Sequence, residues 1–268
     1  MADLADSASG SRAGKLPGRH VVVTRPEAQA GPFCAMLEQA GARVTRFPVI
    51  EIRGPNDPGP LRTVIAHLSA FDIAVFVSAN AVQRVVPDAL AQGPWPGTLR
   101  VAAIGASTAR ALAACGLPPG IVPESRFDSE ALLEADALKA VEGLRIVIFR
   151  GDGGREHLAQ TLRSRGAEVT YAEAYRRALP EIDPEPLCAA LQAGNVDAIT
   201  VTSGESLQNL VEMLGSMARD ALRRTVLVVG AGRVADRARE LGIRAEVVTA
   251  EDPTDAAMFR ALVTRFGR

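Results

Sequence analysis

The stretch Gly143–Arg177, GLRIVIFRGDGGREHLAQTLRSRGAEVTYAEAYRR, decides how this chain is read. Ile146–Phe149 is a short, continuous apolar run of the kind that forms a strand covered on both faces. Gly151-Asp152-Gly153-Gly154 is a turn signal. Glu156–Arg165 reads as a helix with Leu158 and Leu162 inward, and Gly166 stops it where a positive φ is needed. Glu168–Arg177 then runs extended, and unusually long, to Tyr175-Arg176-Arg177. The same layout occurs earlier, from Gly18 to Ile52. There a strand His20–Thr24 leads to a helix over about Pro32–Ala40, then Gly41, then an extended Arg43–Ile52. Pro48 lies inside that last segment. It cannot donate a ladder hydrogen bond, so the segment is an edge strand or a connection between lobes.

Outward from these two units, strand and helix alternate. Strands are expected at Ile73–Val77, Val101–Ile104, Ile121-Val122, Ala198–Thr202, Val226–Val229 and Ala245–Val248. Helices are expected over Leu61–Leu68, Asn80–Leu90 with Ser78 as cap, and from Ser107 or Thr108 to Ala114. Further helices fall at Glu130–Leu138, Pro186–Ala193, Glu205–Leu214 and Arg233–Leu241. A last one carries Phe259, Leu262, Val263 and Phe266 on one face. This alternation means an α/β fold with parallel sheets. Residues 125 apart match through four successive units: Arg25 with Arg150, Gly41 with Gly166, Ser78 with Ser203, Gly105 with Gly230. So regular a register points to an internal duplication and to two similar lobes.

Bulk properties narrow the function. The chain has 268 residues, 47% hydrophobic and 23% charged, with a net charge of −1. It has a real core and no global field drawing it to nucleic acid or a membrane surface. Three cysteines and three histidines are scattered without metal-ligand spacing, which argues against a metal site and a disulfide framework. Met1–Lys15 lacks an apolar segment, and residues 1–17 read as a disordered tail. The cytoplasm is the simplest compartment.

In open parallel sheets, ligands bind beyond the carboxyl ends of the strands. Here those ends carry Thr24-Arg25, Ser78-Ala79-Asn80, Gly105-Ala106-Ser107-Thr108, Arg150-Gly151, Thr202-Ser203-Gly204 and Gly230-Ala231-Gly232. Each opens a helix, whose free N–H groups favour anions. Ordinary capping needs the same residues. Gly230–Ala235 also fits the GxGxxA dinucleotide pattern, but late in its lobe and with no second glycine in the counterpart at Gly105. Tyr175 is the asymmetric residue, standing where the first copy has Ile50, and Tyr171 likewise replaces Arg46. A tyrosine there is either a general acid or a half-buried packing residue.

These stretches, with Val23-Thr24-Arg25-Pro26-Glu27, Phe47–Ile52, Phe76–Val82, Ala103–Ala109, Arg150–Glu156 and Ala174–Arg177, resemble the uroporphyrinogen-III synthase family. The resemblance spans Gly18–Leu262. It implies two parallel-sheet α/β lobes joined by a two-stranded β ribbon, with the active-site cleft between them. One lobe would hold 18–47 and 178–268, the other 51–172, with the ribbon at 48–52 and 173–177. The implied reaction closes hydroxymethylbilane to uroporphyrinogen III with inversion of the last ring and loss of water. It needs no cofactor or metal. Tyr175 matches the tyrosine proposed to help the hydroxyl leave. Thr24, Arg25, Ser78, Ala79, Asn80, Ser107, Thr108, Arg150, Gly151, Ser203 and Gly204 match substrate-facing positions. Arg233 stands where some relatives are hydroxylic, and would bind a carboxylate. The implied enzyme is a cytoplasmic monomer, with transient contact with hydroxymethylbilane synthase as its one protein partner. Two rival readings are a non-catalytic two-lobe binder of a small anion and a nucleotide-dependent oxidoreductase.

Overall fold

The computed structural model describes residues 15–123, 128–154 and 156–267. In chain order the elements are β1 (His20–Val23), α1 (Glu27–Gln39), β2 (Arg43–Arg46), β3 (Glu51–Arg53), α2 (Gly59–Ala66), β4 (Ile73–Phe76), α3 (Ala79–Gln92), β5 (Arg100–Ala103) and α4 (Ala106–Ala114). They continue with α5 (Ser129–Leu133), β6 (Arg145–Gly151), α6 (His157–Ser164), β7 (Glu168–Ala178), α7 (Glu185–Gln192), β8 (Ala198–Val201) and α8 (Gly204–Leu214). The last are α9 (Ala218–Ala221), β9 (Val226–Val229), α10 (Gly232–Glu240), β10 (Val247–Thr249) and α11 (Asp255–Phe266). The chain forms two compact units, one of residues up to Glu51 with Leu179–Arg268, the other of Ile52–Ala178.

The first unit holds a five-stranded sheet in the order β10-β9-β8-β1-β2, and its pairings are parallel. The sheet of the second unit runs β3-β7-β6-β4-β5, with β7-β6-β4-β5 parallel. Replacing β9-β8-β1-β2 by the strands 125 residues away gives β5-β4-β6-β7 of the second sheet, whose remaining strand, β3, has no counterpart in the first. The counterpart of β10 is reduced to a single parallel bridge, Ala102 to Ile121. The duplication is thus present in topology as well as in sequence. Both sheets are doubly wound, and the winding direction reverses between β1 and β8 and between β6 and β4. Such reversals open a crevice at the carboxyl ends of the two strands.

Packing follows from strand alternation. In β4, Ala74 and Phe76 enter one core of the second unit, with Phe149 and the buried face of α3. Ile73 and Val75 enter the other, with Ile146, Ile148, Leu158 and Leu162. Phe76 and Phe149 stack with centroids 4.9 Å apart. In the first unit Val21 and Val23 face α1 and α11 through Phe33, Leu37, Met258 and Leu262. Each fully buried side chain of this size contributes about 1.5–3 kcal/mol.

Four expectations change. Arg43–Ile52 is not one long strand: β2 ends at Arg46, Pro48–Ile50 belongs to no strand, and β3 lies in the other sheet beside β7. Pro48 has no N–H to continue the ladder, and Val49 N–H instead bonds the Thr24 carbonyl at 3.2 Å. The overlong strand therefore exists in one copy only, as β7. Helix α1 starts at Glu27, with Pro32 inside it rather than at its start. The expected helix Glu130–Leu138 divides into α5 and a 3-10 turn at Asp136–Leu138. Leu16, expected in the tail, is instead fully buried, and its N–H bonds the Ala40 carbonyl at 2.8 Å. The part of the expected tail before Lys15 lies outside the described residues.

Candidate active site

At the switch point of the second unit, the carboxyl ends of β4 and β6 border a cavity of about 420 Å³. Val77, Ile104 and Ile148 supply an apolar wall, while Ser78, Asp152, Tyr175 and Arg177 bring polar groups to it. Asp152, Tyr171 and Tyr175 also border a second cavity of about 430 Å³, which Asp57, Glu173 and Arg176 share.

Tyr175 owes its position to a bulge. Along β6 and β7 the partners run in step to Arg150 with Glu173, then jump to Gly151 with Tyr175. One extra residue, Ala174, is accommodated in β7. Strict alternation would set Tyr175 on the face opposite Ala172 and Ala174. After the bulge all three share the core of Phe76 and Phe149. Bulges re-aim side chains in this way and are uncommon between parallel strands. Asp152 N–H closes the bulge on the Tyr175 carbonyl at 2.8 Å. The tyrosine is only 3% exposed.

Its hydroxyl meets Ser78. The Ser78 Oγ accepts the Ala81 N–H at 3.1 Å as the cap of α3, and donates to the Tyr175 hydroxyl oxygen at 3.1 Å. Ser78 therefore caps α3 as expected, and it also lines the cavity. Because Tyr175 accepts from Ser78, its own proton is free to be given to another group. The Arg177 guanidinium stands 5.9 Å from the centre of the Tyr175 ring.

Arg150 also lines the cavity, but its guanidinium is turned inward and the residue is 6% exposed. Nε donates to the Gly153 carbonyl at 2.9 Å, and Nη1 to Glu156 at 2.9 Å. Glu156 in turn accepts the Tyr171 hydroxyl at 2.8 Å. The hydrogen bonds from Tyr171 and then from Arg150 hold the Glu156 carboxyl below its usual range. Burial, then the bond to Glu156, pushes the Tyr171 hydroxyl up.

The other expected residues of this unit surround α3 and α4. Ala79 and Asn80 open α3. Helix α4 is preceded by Gly105, so neither Ser107 nor Thr108 caps it; Ser107 is exposed and Thr108 is buried in the helix. Arg155 lies outside the described residues.

The first unit repeats the capping without the tyrosine. Ser203 Oγ accepts the Ser206 N–H at 3.0 Å and caps α8, which Gly204 begins. Thr24 is buried, and its hydroxyl donates to the Thr200 carbonyl at 2.7 Å across the switch point. Arg25 is tied to Asp255 and to the Pro253 carbonyl. Arg233 is exposed on α10. A packing requirement accounts for Gly230, where a Cβ would stand 2.8 Å from Pro253 Cβ, while Gly232 has open space around it. The dinucleotide reading is not favoured.

Asp152, Ile104, Ser129 and Arg177 line the cavity but were not singled out in the sequence as binding residues. Asp152 and Arg177 stand in the Gly-rich turn and the Tyr-Arg-Arg end of the stretch that decides the fold, where a signal existed. Ile104 stands in the Ala103–Ala109 stretch, and Ser129 carried no such signal. No helix among the described residues is long and apolar enough to cross a membrane.

A family model described as uroporphyrinogen-III synthase HemD matches residues 32–260. The uroporphyrinogen-III synthase of Escherichia coli is 34% identical over 244 residues, 90% of this chain and 99% of that protein. The uroporphyrinogen-III synthase of Synechococcus elongatus is 34% identical over 204 residues, 75% of this chain and 76% of its own. A solved mutant uroporphyrinogen III synthase from Thermus thermophilus superposes with a TM-score of 0.58 at 26% identity, covering 92% of this chain and 100% of that one. The Helicobacter pylori uroporphyrinogen-III synthetase has a TM-score of 0.60 at 14% identity, covering 92% of this chain and 99% of its own, a likeness of fold alone. With a model matched over most of its length and relatives at one-third identity across nearly all of it, this chain belongs to the uroporphyrinogen-III synthase family.

Proposed function

We propose that the chain converts the linear tetrapyrrole hydroxymethylbilane to uroporphyrinogen III, inverting the last ring and releasing water, with Tyr175 as the acid that helps the hydroxyl leave. Family membership supports the reaction. The observation that supports the role of Tyr175 is the ordered chain Ala81 N–H to Ser78 O–H to Tyr175 at the edge of a cavity. Its direction sends the phenolic proton outward. It also places the donor end of α3 behind the oxygen that would carry developing negative charge.

In this reading the substrate hydroxyl takes the Tyr175 proton and departs as water, and its carbon is left as an electrophilic azafulvene. That carbon bonds to the substituted position of the terminal pyrrole, giving a spiro intermediate. The original bond from the spiro carbon to the bridge carbon of the preceding ring then breaks, and that bridge carbon bonds the free α-carbon on the other side of the pyrrole nitrogen. Loss of a proton restores the aromatic pyrrole and can return Tyr175 to its acid form. Closure without inversion proceeds unaided, so the protein's main contribution is a held conformation. The acetates and propionates suit the helix N-termini at Ser78-Ala79-Asn80, Ser107-Thr108 and Ser203-Gly204, together with Arg233. Thr24 and Arg25, whose side chains are engaged internally, would act through their backbone and through the loop they hold. The same reading sets the enzyme in the cytoplasm as a monomer that meets hydroxymethylbilane synthase transiently.

The test couples purified protein to hydroxymethylbilane synthase with porphobilinogen and separates the isomers after oxidation. Predominance of type III is the expected result. Type I alone would sink the assignment and favour a non-catalytic anion binder.

A further inference from the structure

Arg150 matches a substrate-facing position, and a free guanidinium there would suit a carboxylate. Its surroundings point elsewhere. Beside the bonds to Gly153 and Glu156, Nε also reaches the Gly151 carbonyl at 3.3 Å. The guanidinium carbon lies 4.5 Å from the centre of the Tyr171 ring, and Arg163 stands 5.4 Å from the same centre. Nε, Nη1 and one flat face of Arg150 are thus engaged by protein. A cation this engaged loses more by turning to an external carboxylate than a solvated arginine does.

What Arg150 holds is the wall behind Tyr175. The Gly151 and Gly153 carbonyls belong to the loop whose backbone the Tyr175 ring lies against. The Asp152 N–H of that loop bonds the Tyr175 carbonyl, and its Oδ1 accepts the Arg177 N–H at 3.3 Å. On the other side, Glu156 ties Arg150 to Tyr171, which stands on the same strand as Tyr175 before the bulge. The bulge is thereby braced from the loop and from the strand together. We infer that Arg150, through Glu156 and Tyr171, is a positioning residue that sets the Tyr175 hydroxyl, and not a ligand for the substrate. This inference rests on the functional reading above.

A double-mutant cycle separates the two roles. Wild type, Arg150→Lys, Tyr175→Phe and the double variant are assayed for kcat, KM and the type III fraction. A positioning role lowers kcat by about tenfold in Arg150→Lys, with KM within about twofold, and adds nothing once Tyr175 is phenylalanine. A raised KM with kcat unchanged, or full additivity, overturns the inference in favour of carboxylate binding. Glu156→Gln, altered at the half-exposed partner, carries the same cycle should Arg150→Lys fold poorly.

A second readout needs no turnover. The chain has two tyrosines, so ¹³C-tyrosine NMR gives one ring signal each, assigned by Tyr175→Phe. The Tyr175 signal is expected to move in both Arg150→Lys and Glu156→Gln. A Tyr175 signal unmoved while that of Tyr171 shifts refutes the brace. This arm holds even for a protein that does not turn over hydroxymethylbilane, so the two readings fail separately.

Discussion

The ring of Tyr175 lies on the backbone of Gly151, so closely that a β-carbon added there would stand 2.8 Å from Cζ and 2.9 Å from Cε2. The glycine is required for this approach and not for a left-handed backbone. Gly151→Ala must push the ring aside or open the bulge. Overpacking of this kind costs about 1–3 kcal/mol of stability. Activity is expected to fall by about tenfold or more, because about 1.4 kcal/mol of lost transition-state stabilisation has that effect. Thermal melts and isomer-resolved assays measure the two losses independently.

Tyr175→Phe removes one oxygen and keeps the ring that packs on Gly151, Phe76 and Phe149. The lost hydrogen bond to Ser78 is worth about 1 kcal/mol, so the melting profile is expected to stay close to wild type. The rate of type III formation is expected to fall by about two orders of magnitude or more, the usual scale of a lost general acid. An unchanged rate would return Tyr175 to a packing role.

Ser78→Ala and Ser203→Ala form a matched pair across the duplication. Each removes a helix cap, Ser78 from α3 and Ser203 from α8, at a cost of about 1 kcal/mol. Similar shifts in chemical denaturation are expected for the two. Only Ser78→Ala leaves a tyrosine hydroxyl without its donor, so only that variant is expected to move the Tyr175 ring signal in the ¹³C spectrum.

The brace around Arg150 has a pH window set by its acid and its phenol. The Glu156 carboxyl is held down by Tyr171 and Arg150, so its contribution is complete above the ordinary glutamate range, about 4.3, and is lost as pH falls through its lowered folded value. The Tyr171 hydroxyl is raised, so its contribution is present below the ordinary tyrosine value of about 10 and is lost as pH rises through the higher folded value. The brace is therefore intact through neutrality. Denaturant melts between about pH 6 and pH 3, spanning that glutamate range, are expected to show a smaller acid loss of stability in Glu156→Gln than in wild type. Equal slopes would exclude a Glu156 contribution.

Leu16 precedes the first strand yet is fully buried in the core of the first unit. Leu16→Ala is expected to cost about 2–5 kcal/mol, a lowering of the melting temperature that a side chain in a disordered tail would not produce.

Much of the scaffold was legible because its signals are local. The glycines of the duplication hold matching conformations: Gly41 and Gly166 have φ of 86° and 87°, Gly18 and Gly143 have 70° and 71°. Only glycine enters that region without strain, so the repeat in sequence forced a repeat in backbone. The apolar runs at β1, β4, β6, β8 and β9 likewise marked strands covered on both faces. One proline position misled: Pro32 read as a helix start although it sits inside α1. Pro48 marks an edge strand or a connection between lobes, and the second holds, since Pro48–Ile50 belongs to no strand and the chain passes to the other unit just after it.

The sequence by itself determined the strand–helix alternation, the duplication, and the place where the copies differ, a tyrosine opposite an isoleucine. Each rests on periodicity or on residue identity, which the chain carries in its own order. Only the tertiary structure decided where that tyrosine points and what the arginines do. The bulge that turns Tyr175 depends on pairing with β6, and the duties of Arg25 and Arg150 depend on Asp255, Glu156 and backbone carbonyls. A buried charge takes whichever partner the fold brings within reach, and that choice is made in space.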